Sequence, residues 1–155
     1  MLVSCSDSRV APEIVFGQGL GDVFIVRNAG NTVDTTALGS IEYAVEHLGV
    51  PLIVIMGHSR CGAVEAAASI VDTNARFPEA VEHMLGPIVP AVLSVRDRPG
   101  DRIEHAVRAN VDRAVARLRL GAEPVISEPL RAGRLRVVGA AYNLDTGLVD
   151  FFNEG

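Results

Sequence analysis

The chain has 155 residues, 48% hydrophobic and 21% charged, with a formal net charge of −5. That length and composition suit one compact domain with its own core and exclude a disordered chain. The acidic balance argues against nucleic acid or an anionic membrane as the main partner, since both reward a basic face.

All 14 cationic side chains other than histidine are Arg, which leaves no lysine for Schiff-base chemistry. No apolar run reaches the roughly 18 residues of a membrane helix. The start, Met1 to Cys5, lacks the basic region and long apolar stretch of a signal peptide. Two cysteines make no disulfide framework, so a reducing, cytoplasmic setting is expected.

In chain order, Leu2-Val3-Ser4 reads as a short buried strand, and Pro12 to Phe16 as a short helix with Pro in its first turn. Gly17, Gly19 and Gly21 mark a turn. They precede a strand instead of linking a strand to a helix, so they do not make a dinucleotide site. Val23 to Val26 is β-branched-rich and predicts a strand, followed by a loop through Arg27 to Asn31. Leu38, Ile41, Ala44, Val45 and Leu48 have helical spacing within Thr35 to Leu48, and Gly49 closes that helix. Leu52 to Met56 is a continuous apolar run, the mark of a central strand covered on both faces.

Gly62 to Ile70 is Ala-rich and helical. Phe77 to Val95 is helical with breaks expected at Pro87 and Pro90. Asp101 to Leu120 is an amphipathic helix with Asp101 as N-cap, and Glu123 to Ala132 holds a shorter one. Leu135 to Tyr142 predicts a strand, Asn143 to Gly147 a turn, and Leu148 to Phe152 a last antiparallel strand. The alternation predicts an α/β fold: a mostly parallel sheet flanked by helices, with a C-terminal antiparallel edge strand, as a single domain over 1–155. In such sheets ligands sit beyond the carboxyl ends of the strands, which is where Cys5 and His58 fall.

Two motifs carry chemistry: Cys5-Ser6-Asp7-Ser8-Arg9 and Gly57-His58-Ser59-Arg60-Cys61-Gly62. Two thiolates and an imidazole are ligands that Zn(II) favours, and three protein ligands leave a fourth position open, the layout of a catalytic zinc. Such a zinc brings the pKa of bound water to about 7. Asp7 and Arg9 are two positions apart, so in an extended chain they point the same way. Arg9 would then keep Asp7 ionised. An ionised Asp7 has two possible roles: orienting a zinc-bound hydroxide, or taking the fourth position itself at lower pH. The bland readings are core cysteines, a Cys5–Cys61 disulfide and a loop-bracing ion pair. His47, His83 and His105 have no spaced partner of metal type and read as helix-face histidines.

Cys-x-Asp-x-Arg followed by His-x-x-Cys resembles the β-class carbonic anhydrases. Gly21 to Asn31, Ser40 to Ala44 and Gly133 to Gly139 resemble further segments of that family. The resemblance implies one Zn(2+) per chain on Cys5, His58 and Cys61, with Asp7 and Arg9 as the catalytic dyad. It implies Phe24, Tyr43 and Gly62 in the substrate pocket, lined partly by a neighbouring subunit, hence a homodimer or homotetramer. Arg27 and Asn28 would shape a loop and contact that subunit. The activity it implies is reversible hydration of CO2 to bicarbonate through zinc-bound hydroxide. Close alternatives are hydrolysis of carbonyl sulfide or carbon disulfide, or a noncatalytic zinc-stabilised interaction module.

The sequence departs from the family pattern in three places. Four residues precede Cys5, where members carry helices that embrace the partner and, in plant-like members, a pocket glutamine; the expectation is a domain without that arm. Ala29 stands where Val is common, which predicts a roomier pocket. Leu2 stands where a bicarbonate-regulated subgroup has Trp, which predicts that inhibition through that Trp is absent.

Overall fold

The sheet is built on β-branched and apolar runs too short for helices. Its strands are β1 (Leu2–Cys5), β2 (Ile25–Asn28), β3 (Leu52–His58), β4 (Arg136–Tyr142) and β5 (Val149–Phe152). The helices are α1 (Pro12–Val15), α2 (Thr35–Leu48), α3 (Gly62–Thr73), α4 (Glu79–Leu85), α5 (Val89–Ser94), α6 (Arg102–Leu120) and α7 (Pro124–Arg131). This computed structural model describes residues 1–121 and 123–152, so 122 and 153–155 of the expected domain lie outside the described residues.

The strand order is β2-β1-β3-β4-β5, parallel throughout except for the antiparallel β4–β5 pair. β1 has β2 on one side and β3 on the other. The chain therefore leaves β1 in one direction and returns in the opposite one, and a crevice opens beyond their carboxyl ends. Cys5 closes β1 and His58 closes β3 at that crevice.

Alternation along the strands sends side chains to two faces. Val3, Ile53, Ile55 and Val137 pack under Ile41 of α2, Val111, Val115 and Leu118 of α6 and Ile126 of α7. Leu2, Val54, Met56, Val138 and Ala140 form the other face with Val10, Val15 and Phe16. A third cluster joins Cys5 and Cys61 to α3, α4, α5 and the start of α6. Gly57 lets α6 approach β3 closely: a Cβ there would lie 2.8 Å from Val107 Cγ1 and 3.0 Å from Val111 Cγ2.

The helix ends follow local chemistry. Asp34 caps α2 by accepting from Ala37 N at 2.8 Å, and Gly49 ends it in the left-handed region at φ 62. Asp101 caps α6 through Ile103 N and Glu104 N.

Four boundaries differ by more than one residue from the sequence reading. The second strand runs Ile25–Asn28, because its partner β1 pairs Leu2 with Ile25 and carries the ladder to Cys5–Asn28. β3 continues two residues through Gly57 and His58, where β4 supplies Ala141 and Tyr142 as partners. The Phe77–Val95 segment breaks at Gly86 to Ile88; Pro90 sits in the first turn of α5, where its missing N–H costs nothing. α3 runs to Thr73, with Asn74 as a left-handed cap at φ 53. No helix among the described residues is long and apolar enough to cross a membrane.

Candidate metal centre

β1 and β3 are neighbours, with Leu2 opposite Val54 and Ser4 opposite Met56. Their ends deliver Cys5 and His58 to one place. After His58 the chain turns through Ser59 and Arg60, the latter at φ 53, and enters α3 with Cys61 as the residue before its first turn. The ligand atoms of Cys5, His58 and Cys61 lie within 4.8 Å of one another. All three residues are buried, at 5%, 0% and 1% exposure.

The two Sγ atoms are 4.0 Å apart and both cysteines are free, so no disulfide joins them. A tetrahedral ion with Zn–S of about 2.3 Å would set its two sulfurs about 3.8 Å apart, which the observed spacing nearly meets. The His58 ring settles its own tautomer. Nδ1 lies 2.9 Å from the Ser59 carbonyl, which can only accept, so Nδ1 carries the proton. Nε2 is left as a lone pair, fully buried and without a hydrogen-bond partner. A buried orphan acceptor beside two thiols fits a metal ligand set, with the Ser59 carbonyl in the orienting role that metal-binding imidazoles require.

The thiols share their protons unequally. The contact with Cys61 pulls the Cys5 thiol well below the usual range, aided by the Gly30 N–H, which donates to Cys5 Sγ at 3.5 Å. The same contact, with burial, pushes the Cys61 thiol up.

Asp7 and Arg9 do meet, but by a different route from the extended chain expected. Residues 7 to 10 form a turn, with Val10 N donating to the Asp7 carbonyl at 3.0 Å and Arg9 N to Asp7 Oδ1 at 2.9 Å. Arg9 then grips the carboxylate with both ends of its fork, Nε to Oδ1 at 3.0 Å and Nη2 to Oδ2 at 2.7 Å. These hydrogen bonds hold the Asp7 carboxyl far below the usual carboxylate range. Asp7 Oδ2 lies 3.9 Å from His58 Nε2, at the edge of the donor group.

The loop-shaping expected of Arg27 and Asn28 is seen, while the parts of Asp145 and Asn110 in tying these loops together were missed by the sequence reading. Arg9 Nη2 also donates to the Arg60 carbonyl at 3.2 Å, linking the loop after β1 to the residue before Cys61. Arg60 is held by Asp145 at 2.7 Å. Arg27 donates to the Cys5 carbonyl at 2.9 Å and the Asp7 carbonyl at 2.7 Å, pinning the segment between them. Asn28 brackets its loop, accepting from Thr32 N and donating to Thr32 O. Asn110 of α6, 5% exposed, donates to the Gly30 carbonyl at 2.8 Å. Its signal in the sequence is an amide set among the buried Val107, Val111 and Ala114 of an amphipathic helix.

The expected pocket residues are spread out. Gly62 follows Cys61, is exposed, and has open space where a Cβ would stand. Phe24 and Tyr43 pack on each other with ring centroids 6.2 Å apart, and Tyr43 is 52% exposed. Phe24 lies at the opposite end of the sheet, its carbonyl accepting from Leu2 N. Four residue steps along the strand separate it from Asn28, about 13 Å. One chain does not bring this pair to the donor group. His47 stacks near Tyr43 at 4.9 Å, and His105 Nε2 meets the Pro99 carbonyl; neither joins the group, nor does the exposed His83.

Residues 1–149 match the family described as carbonic anhydrase. The chain is 43% identical over 147 residues to carbonic anhydrase 2 of Mycobacterium tuberculosis, covering 95% of this chain and 70% of that protein. It is 41% identical over 150 residues to a carbonic anhydrase of Mycolicibacterium smegmatis, covering 97% and 72%. Among solved structures it is similar to one of two tetrameric β-carbonic anhydrases of the ascomycete Sordaria macrospora, with a TM-score of 0.86 and 28% identity over 98% of this chain and 79% of that one. It is also similar to a Coccomyxa β-carbonic anhydrase in complex with acetazolamide, with a TM-score of 0.80 and 26% identity over 97% and 70%.

Proposed function

The chain belongs to the β-carbonic anhydrase family, and on that premise we propose that it catalyses CO2 + H2O ⇌ HCO3− + H+ at one zinc ion held by Cys5, His58 and Cys61. The observation that carries this reading is the buried, unpartnered His58 Nε2 facing two free thiols 4.0 Å apart. When bound, the zinc supplies Lewis acidity strong enough to make hydroxide available near neutral pH.

The protein's own residues do the positioning. Ser59 O fixes the His58 ring so that Nε2 faces inward. Arg9 keeps Asp7 ionised and turned toward itself, which leaves the fourth position to solvent and substrate. Asp7 Oδ2 accepts a hydrogen bond from the attacking group and so aims its lone pair at the carbon of CO2. The proton released leaves through solvent, since Arg9 is half exposed and Asp7 is partly open.

Phe24 and Tyr43 act on the pocket of a neighbouring copy in a homodimer or homotetramer. Their distance from the donor group of their own chain and the exposure of Tyr43 support this, as does the tetrameric state of the Sordaria relatives. Free buried thiols favour a reducing cytoplasm.

The test is the loss of heavy oxygen from labelled CO2 in water, followed by mass spectrometry on zinc-loaded protein, alongside sulfide release from carbonyl sulfide. Exchange that disappears on zinc removal and returns with zinc is expected. Sulfide release without oxygen exchange would transfer the site to the sulfur analogue, and zinc retention with neither reaction would make it a structural module.

A further inference from the structure

The Cys5 sulfur has a backbone N–H aimed at it from a loop 25 residues further along the chain. That N–H belongs to Gly30, which donates to Cys5 Sγ at 3.5 Å. Gly30 stands in the loop that the Asn28 side chain brackets through Thr32 N and O. Its φ is +79, and a Cβ would meet Ile88 Cδ1 at 2.5 Å and Ala63 Cβ at 3.2 Å. The next residue, Asn31, is also left-handed at φ 45. Packing fixes the side of the loop facing α3 and Ile88. A further hold comes from across the core: Asn110 Nδ2 on α6 donates to the Gly30 carbonyl at 2.8 Å, 80 positions away in sequence. α6 is itself seated on β3 through Gly57, the residue before His58.

We propose that Asn110 is a positioning residue for the metal centre, holding the Gly30 peptide so that its N–H donates to the Cys5 thiolate. The proposal rests on the reading that Cys5, His58 and Cys61 hold the zinc. An N–H···S bond withdraws charge from a thiolate and fixes its lone pairs, so it sets both the direction and the strength of the sulfur–metal bond. Without Asn110 the Gly30 carbonyl loses its buried donor, the loop rotates to find another, and the N–H leaves the sulfur.

The probe is cadmium, an NMR-active stand-in that binds thiolate sites, loaded into nitrogen-labelled protein. In wild type, scalar coupling between the metal and the Gly30 amide proton is expected, passing through the N–H···S bond. In Asn110→Leu, which keeps the branched shape but has no donor, the coupling should vanish. Zinc affinity, read by chelator competition, should fall about 10–100-fold, and the thiolate-to-metal absorption band should shift. Asn110→Ser, which retains a hydroxyl donor, should recover part of all three.

Wild-type protein that binds cadmium with no coupling to Gly30 overturns the proposal, and this needs no variant to fold. So does an Asn110→Leu protein that is less heat-stable but keeps the coupling, band and affinity of wild type, since Asn110 would then serve packing alone. Wild-type protein that takes up neither metal fails at the ligand reading itself, before Asn110 enters.

Discussion

Gly30→Ala tests whether the loop under Cys5 is held by close packing. The perturbation has two parts. At φ +79 an alanine is strained by about 1–2 kcal/mol. Its Cβ also falls 2.5 Å from Ile88 Cδ1, in a fully buried setting, and overpacking of that kind costs about 1–3 kcal/mol. The stiffer unfolded chain returns about 0.4–1 kcal/mol. The net is a loss of about 3 kcal/mol.

Gly17→Ala isolates the backbone part, because Gly17 has φ +60 and nothing within 4 Å of its Cβ position; its loss should be about 1 kcal/mol. Ile88→Val removes Cδ1 and leaves Cγ1 at an ordinary 3.6 Å from the new methyl. Alone it costs about 1 kcal/mol. Combined with Gly30→Ala it should give a total near 2 kcal/mol, where simple addition gives about 4. Urea midpoints at one chain concentration and one metal content read these values. A double variant that is merely additive, or Gly30→Ala no worse than Gly17→Ala, would refute the reasoning.

Cys61→Ala should abolish stoichiometric zinc binding, measured by metal analysis after dialysis, because two ligands remain of three. Arg27→Gln removes two hydrogen bonds to the carbonyls of Cys5 and Asp7; about 1–3 kcal/mol of stability should go with them, together with a slower turnover at unchanged zinc content. Asp72, paired with Arg102, has its carboxyl held below its ordinary value of 3.8 by that hydrogen bond. Its folded pKa is depressed, so the stabilisation is complete above 3.8 and is lost as pH falls through the lower folded value. Arg102→Gln should therefore flatten the acid limb of the stability–pH curve and leave its slope above that window unchanged.

Much of the candidate site is legible in the sequence because its two motifs carry metal-type donors and the sheet imposes their positions. The run Leu52 to Met56 reads as a covered strand, which puts His58 at its carboxyl end, and three-residue spacing brings Cys61 back to it. What the sequence hides is set by partners distant along the chain. The register of β2 depends on β1, so the apolar Val23-Phe24 pair attracts a strand assignment that the ladder does not honour. The Asp7–Arg9 pair is visible, but the turn that creates it is not, since two residues of spacing suits a strand equally well. Gly30 reads as loop punctuation and Asn110 as a lapse in an apolar stripe; their joint meaning exists only once α6 crosses the sheet.

The most direct test of the central claim is stopped-flow CO2 hydration, with zinc measured on the same sample, for wild type and Asp7→Asn. One zinc per chain in both, fast hydration in wild type and a loss of about 100-fold or more in Asp7→Asn are predicted. Full zinc occupancy with no hydration in wild type, or undiminished hydration in Asp7→Asn, would contradict it.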